Sequence, residues 1–160
     1  MPTTLRKKES VIDSWSTIVQ HAAGREKELT DTIEKLIDEA KMPDVSVKRD
    51  TVSMSVFSQK RDFLIVTPDK FRYYRMLIGV RSYGANLDIA WYLTRYGAMR
   101  RYAITIAFMQ RLSLFNQQDL RAFATVSHHC VLDAVKLLLE ELEQSPAGLN
   151  EKSTGFLSVW

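Results

Sequence analysis

Cysteine occurs once in the 160 residues, as Cys130, which excludes an internal disulfide and any zinc site built on several cysteines. Proline and glycine are sparse, at four and six residues, and the glycines are scattered singly. Collagen-like and low-complexity classes are thereby removed. No Gly-rich phosphate loop leads into Lys and Ser/Thr, and no dinucleotide fingerprint follows a strand. Long apolar runs are missing too. The stretches 63–66, 76–80, 104–109 and 131–139 each fall short of the roughly 18 residues that a membrane span needs. Nothing like a secretory leader follows Met1. The expectation is a cytoplasmic protein with no membrane span.

What remains is an ordinary globular composition, 46% apolar and 26% charged, of a length that suits one domain, residues 1–160. The net charge of +3 conceals an asymmetry. Residues 44–101 hold eleven basic and five acidic side chains, whereas the two flanking segments each carry a small acidic excess. A basic middle bears on partners rather than on fold.

Hydrophobic spacing divides the chain. Ile12, Trp15, Val19, Ala22, Leu29, Ile33, Leu36 and Ala40 follow steps of three and four, interrupted at Glu26. That spacing predicts helix over residues 9–41, either one helix weakened near Gly24 or two helices, stopped by Pro43. A sheet is expected over 44–115. Its clearest part is a hairpin, 72–81 and 87–94, in which Leu87, Ile89, Trp91 and Leu93 share one face. Residues 102–115 fit a strand or a helix. A helix over 117–144, with Asn116 as N-cap, places Leu120, Phe123, Ala124, Ser127, Val131, Ala134, Val135, Leu138 and Leu142 on one face. The apolar tail 155–160, ending in Trp160, is expected to dock on the core or a partner. The expected fold is α+β: an antiparallel sheet of about four to six strands, packed on one face by N-terminal helices and a long C-terminal helix.

Catalytic residue types cluster only at His128-His129-Cys130. Neighbours on a helix stand 100° apart, so His129 and Cys130 do not form a base and nucleophile pair, and a small buried thiol is the plain reading of Cys130. His129 and Asp133 are two ligands without a third. No catalytic residue, metal or cofactor is assigned, and an enzyme is not expected. The binding chemistry lies elsewhere. Arg75, Arg81, Tyr83, Tyr92, Arg95, Arg100 and Arg101 interleave cations with aromatic rings, as a sheet that stacks bases and holds phosphates does. The same residues on a wet sheet face would equally stabilise one another across strands.

The runs Lys60-Arg61-Asp62-Phe63-Leu64-Ile65-Val66, Gly79-Val80-Arg81-Ser82-Tyr83-Gly84 and Asp88-Ile89-Ala90-Trp91-Tyr92-Leu93-Thr94 continue into Gln118-Asp119-Leu120-Arg121-Ala122-Phe123-Ala124-Thr125 and Gly155-Phe156-Leu157. Across the C-terminal two thirds, the chain resembles small bacterial and archaeal proteins of unknown function. The resemblance implies no activity. The leading functional expectation is a non-catalytic module that binds a protein partner or self-associates, with Ile12, Trp15, Val19 and Ile33 on an interaction helix. The alternatives are a nucleic-acid binder using the basic aromatic face and a small-ligand domain with a pocket between helix and sheet.

Overall fold

The computed structural model describes residues 3–4, 9–53, 59–96 and 113–154. Strand β1 (Thr3–Thr4) is followed by β2 (Glu9–Val19), helix α1 (Glu26–Glu39), strands β3 (Val45–Ser53), β4 (Lys60–Pro68), β5 (Tyr74–Tyr83) and β6 (Asn86–Tyr96), and helix α2 (Leu114–Glu141). The sheet order is β1-β3-β4-β5-β6-β2. β2 to β6 form five antiparallel strands, and β1 adds a parallel pair with Val52 and Ser53. The α+β architecture with a long C-terminal helix packed on the sheet is as expected. The segments 97–112 and 155–160 lie outside the described residues, and with them Arg100, Arg101, the apolar tail and most of the strand-or-helix question at 102–115, of which Leu114 and Phe115 are helical.

The expectation of helix over residues 9–41 fails in its first part. Residues 9–19 are not helical: they form an edge strand paired with β6 from Glu9↔Tyr96 to Val19↔Leu87. The cause is a bulge between Val11 and Asp13, where Ile12 has no partner in the ladder. An inserted residue shifts the two-residue alternation by one. Ile12 and Trp15 thus stand three apart on the buried side, and Trp15 and Val19 stand four apart through ordinary alternation. A bulged strand therefore imitates helical spacing. The helix begins only at Glu26, past a turn in which Gly24 has φ +90°.

The β5–β6 hairpin turns through Gly84-Ala85, with Gly84 at φ +63°, the glycine-first geometry that suits strand twist. Leu87, Ile89, Trp91 and Leu93 are all fully buried on the side facing the helices. They pack with Leu29, Ile33 and Ile37 of α1 and with Leu120, Ala124, Val131, Val135 and Leu138 of α2. Each such side chain taken from water is worth about 1.5–3 kcal/mol. The Arg25 guanidinium joins the helices by pairing with Glu28 and Glu141. α2 starts three residues before the expected Gln117, because Ser113, not Asn116, is the cap and accepts the Asn116 N–H at 3.3 Å. By length and composition α2 could cross a membrane, yet most of it is buried inside this fold. On the opposite sheet face, Val52, Ile65 and Leu77 form a second buried cluster with Phe63 packed against it.

Candidate interaction surface

The four residues assigned to an interaction helix are core residues. Ile12, Trp15 and Val19 lie on β2, Ile33 lies on α1, and all four are buried. None offers a surface to a partner. The basic aromatic set is divided as well. Strand alternation and register put Arg75, Arg81, Tyr83 and Tyr92 on the outer face of the sheet. Arg95, opposite Tyr74, turns to the helix side.

The two outer arginines each pair with a carboxylate. Arg75 makes a bidentate pair with Glu9 on β2, Nε to Oε1 at 2.6 Å and Nη2 to Oε2 at 2.5 Å, and the Thr94 hydroxyl donates to the same carboxylate. The Glu9 side chain is 3% exposed and that of Arg75 19%. Arg81 pairs with Asp88 directly across the hairpin at 2.8 Å and lies 5.4 Å from the Tyr83 ring. Both are cross-strand pairs, but they differ in burial: Arg75 is largely enclosed with Glu9, whereas Arg81 meets Asp88 through Nε and keeps 44% of its side chain in water. Tyr83 and Tyr92 remain exposed.

The free geometry of this face lies one strand further on. β3 and β4 pair from Val45↔Pro68 to Ser53↔Lys60, and β5 and β6 pair along their full length, but β4 and β5 pair only at Leu64↔Ile78, Ile65↔Leu77 and Val66↔Met76. Residues 60–63 therefore run without ladder partners on β5. In a two-residue hairpin the flanking residues form the hydrogen-bonded pair, so Tyr83, Arg81 and Gly79 bond to β6, while Ser82, Val80 and Ile78 turn their backbone groups toward β4. Beyond Ile78 those groups meet a cleft.

Concavities of about 410 and 440 Å³ occupy its two sides, and both are lined by Glu26, Asp62, Phe63 and Val80. Phe63 closes the apex: a Cβ placed on Gly79 would stand 2.8 Å from Phe63 Cε1, so only glycine lets the ring lie there. At the mouth the Ser82 N–H donates to the Glu26 carboxylate at 3.0 Å, a side chain standing in for a strand carbonyl. The Ser82 hydroxyl beside it, and to a lesser degree the backbone N–H groups of Glu26 and Ser82, hold the Glu26 carboxyl below the usual range. Asp62 accepts from the Thr51 hydroxyl at 2.6 Å. Among the described residues Lys60 and Arg61, both exposed, make no ion pair, and Arg61 donates to the Gln59 side-chain oxygen at 3.4 Å.

Sequence reasoning missed Lys60, Arg61, Phe63 and Glu26 as a group. The signal available was Gly79, an isolated glycine inside a strand pattern.

The residues with catalytic chemistry are differently placed. Cys130 is buried, and burial, then the nearby Asp133, pushes its thiol up to about 11, which disfavours the thiolate. His128 is fully buried between two indoles, 5.6 Å from Trp15 and 5.4 Å from Trp91, both edge-on at 72°. Trp91 Nε1–H donates to its Nδ1 at 2.9 Å, which leaves the ring proton on Nε2, 2.7 Å from the Glu151 carbonyl oxygen. Burial pulls the His128 pKa below its ordinary 6.5. No group of three or more His, Cys, Asp or Glu among the described residues could hold a metal.

No family model matches the chain, and no curated protein or solved structure is significantly similar to it.

Proposed function

We propose that the protein is a non-catalytic interaction module that receives an extended, acidic segment of a partner protein in the cleft between β4 and β5. The observation that carries this reading is the early end of the β4–β5 ladder at Leu64↔Ile78. It leaves the backbone groups of Val80 without a strand partner among the described residues, and an added strand supplies such partners. Phe63 and Tyr92 offer apolar contact along the outer side, and the uncommitted charges at the rim, Lys60 and Arg61, favour carboxylates. The nucleic-acid reading ranks lower, because Arg75 is enclosed with Glu9, Arg81 is partly neutralised by Asp88, and Arg95 turns to the helix side.

A library of displayed linear peptides selected on the protein tests the proposal. Acidic sequences should be enriched, and the double variant Lys60→Glu, Arg61→Glu should weaken them about 10-fold, since two rim contacts of up to about 1 kcal/mol each are reversed. No enrichment, or equal binding by the variant, contradicts it. Saturable binding of an oligonucleotide, abolished by the same variant, would return the assignment to nucleic acid.

A further inference from the structure

We propose that residues 149–154 form an acid-released latch, opened by protonation of His128. The segment is fastened at four places on two elements. Trp15 Nε1–H donates to the Asn150 carbonyl at 2.6 Å, His128 Nε2–H to that of Glu151, and the Ser153 hydroxyl to Asp13 at 3.0 Å. The Thr154 N–H donates to the Ser14 carbonyl on the outer edge of β2 at 2.9 Å. Lys136 of α2 adds an ion pair to Glu151 at 2.6 Å. His128 is the only ionisable ring among these fastenings, and it works as both donor and acceptor.

That dual role holds for the neutral ring alone. An indole nitrogen donates and cannot accept. An imidazolium carries a proton on Nδ1 as well, and would direct it at the Trp91 N–H 2.9 Å away. The closed arrangement thus excludes the proton unless that bond breaks. The charged groups around the ring come from three elements: His129 on α2, at 5.9 Å between ring centres, opposes the proton, while Asp13 on β2 and Glu151 on the latch favour it. From β6 the described group that meets the ring is Trp91, the opposing donor. Asp13 and Glu151 are themselves engaged, with Ser153 and Lys136 respectively. Burial between two indoles then decides for the neutral ring.

An opened segment returns His128 to water and to the ordinary value of 6.5. The sign follows: the contribution of the neutral ring is complete above that value and is lost as pH falls below it. Between pH 7.5 and 5.0 opening should become up to about 30-fold more frequent, the ratio set by titration of an unhindered imidazole. Opening also frees the Ser14 carbonyl, uncovering hydrogen-bonding groups on an edge strand.

Amide hydrogen exchange of the full chain at pH 7.5 and 5.0, corrected for intrinsic rates, tests the latch. Residues 149–154 should lose protection at pH 5.0 while β5, β6 and the centre of α2 keep theirs. In His128→Gln the amide can accept from Trp91 and donate to Glu151 without titrating, so the response should vanish. Unchanged protection of 149–154 in the natural sequence overturns the proposal. So does loss of protection everywhere at once, or a pH response that persists in His128→Gln. Should that variant not fold, Trp91→Phe removes the opposing donor and should shrink the response several-fold; a response equal to that of the natural sequence overturns the latch.

Discussion

Replacing Arg75 with Met distinguishes a structural cation from a binding one. In the folded protein Arg75 meets both oxygens of Glu9, whose side chain is 3% exposed. Arg75→Met removes the counter-charge and leaves that carboxylate buried, with the Thr94 hydroxyl as its remaining side-chain donor among the described residues. Breaking a buried pair from one side costs about 3–5 kcal/mol. Arg75 itself keeps 19% of its side chain in water, which places the expectation at about 3 kcal/mol. That is a large share of a typical stability of about 5–15 kcal/mol. The double variant Glu9→Leu, Arg75→Met should recover most of the loss, because no charge is then stranded. Equilibrium urea unfolding measures it: with a slope of about 2 kcal/mol/M, the midpoint of Arg75→Met should fall by about 1.5 M. A variant within about 0.5 kcal/mol of the natural protein would refute the reasoning and restore Arg75 as a cation available to anionic partners.

Two further perturbations probe the cleft and the core. Gly79→Ala puts a methyl 2.8 Å from Phe63 Cε1, so thermal unfolding should show a loss of about 1–3 kcal/mol. The loss should disappear in a Phe63→Ala background, and an equal cost in both backgrounds would mean that the ring does not lie on Gly79. For Cys130 the folded value, about 11, exceeds the ordinary 9.0. Its contribution is therefore complete below pH 9 and is lost as pH rises toward 11. The natural protein should lose about 2–3 kcal/mol relative to Cys130→Ala over that range, and parallel stability curves would contradict the burial.

The legible parts of this fold are those where one periodicity runs unbroken. In β6 the alternation of Leu87, Ile89, Trp91 and Leu93 has no insertion, and each of the four is buried on the helix side. In α2 the expected apolar face from Leu120 to Leu138 is the buried one. β2 was not legible, since the bulge at Ile12 converts a strand's step of two into a step of three. The burial of His128 was hidden for another reason: the segment that covers it follows 23 residues later, and its backbone carbonyl carries no signature in the side chains. The candidate surface was half legible. Arg81 and Tyr92 could be placed on one face from alternation, but their neighbours Lys60, Phe63 and Glu26 arrive from two other elements.

The sequence by itself determined the α+β class, the central hairpin, the long C-terminal helix and the basic, aromatic character of the middle third. These follow from local spacing and composition, which each segment carries whatever it packs against. Tertiary structure alone decided which charges are spent inside the fold and which face a partner. Glu9 and Arg75 are 66 residues apart and meet only because β2 closes the far edge of the sheet beside β6. The cleft exists because β4 leaves β5 after three pairs. Pairing between distant strands is a property of their register, and no local pattern encodes where a ladder ends.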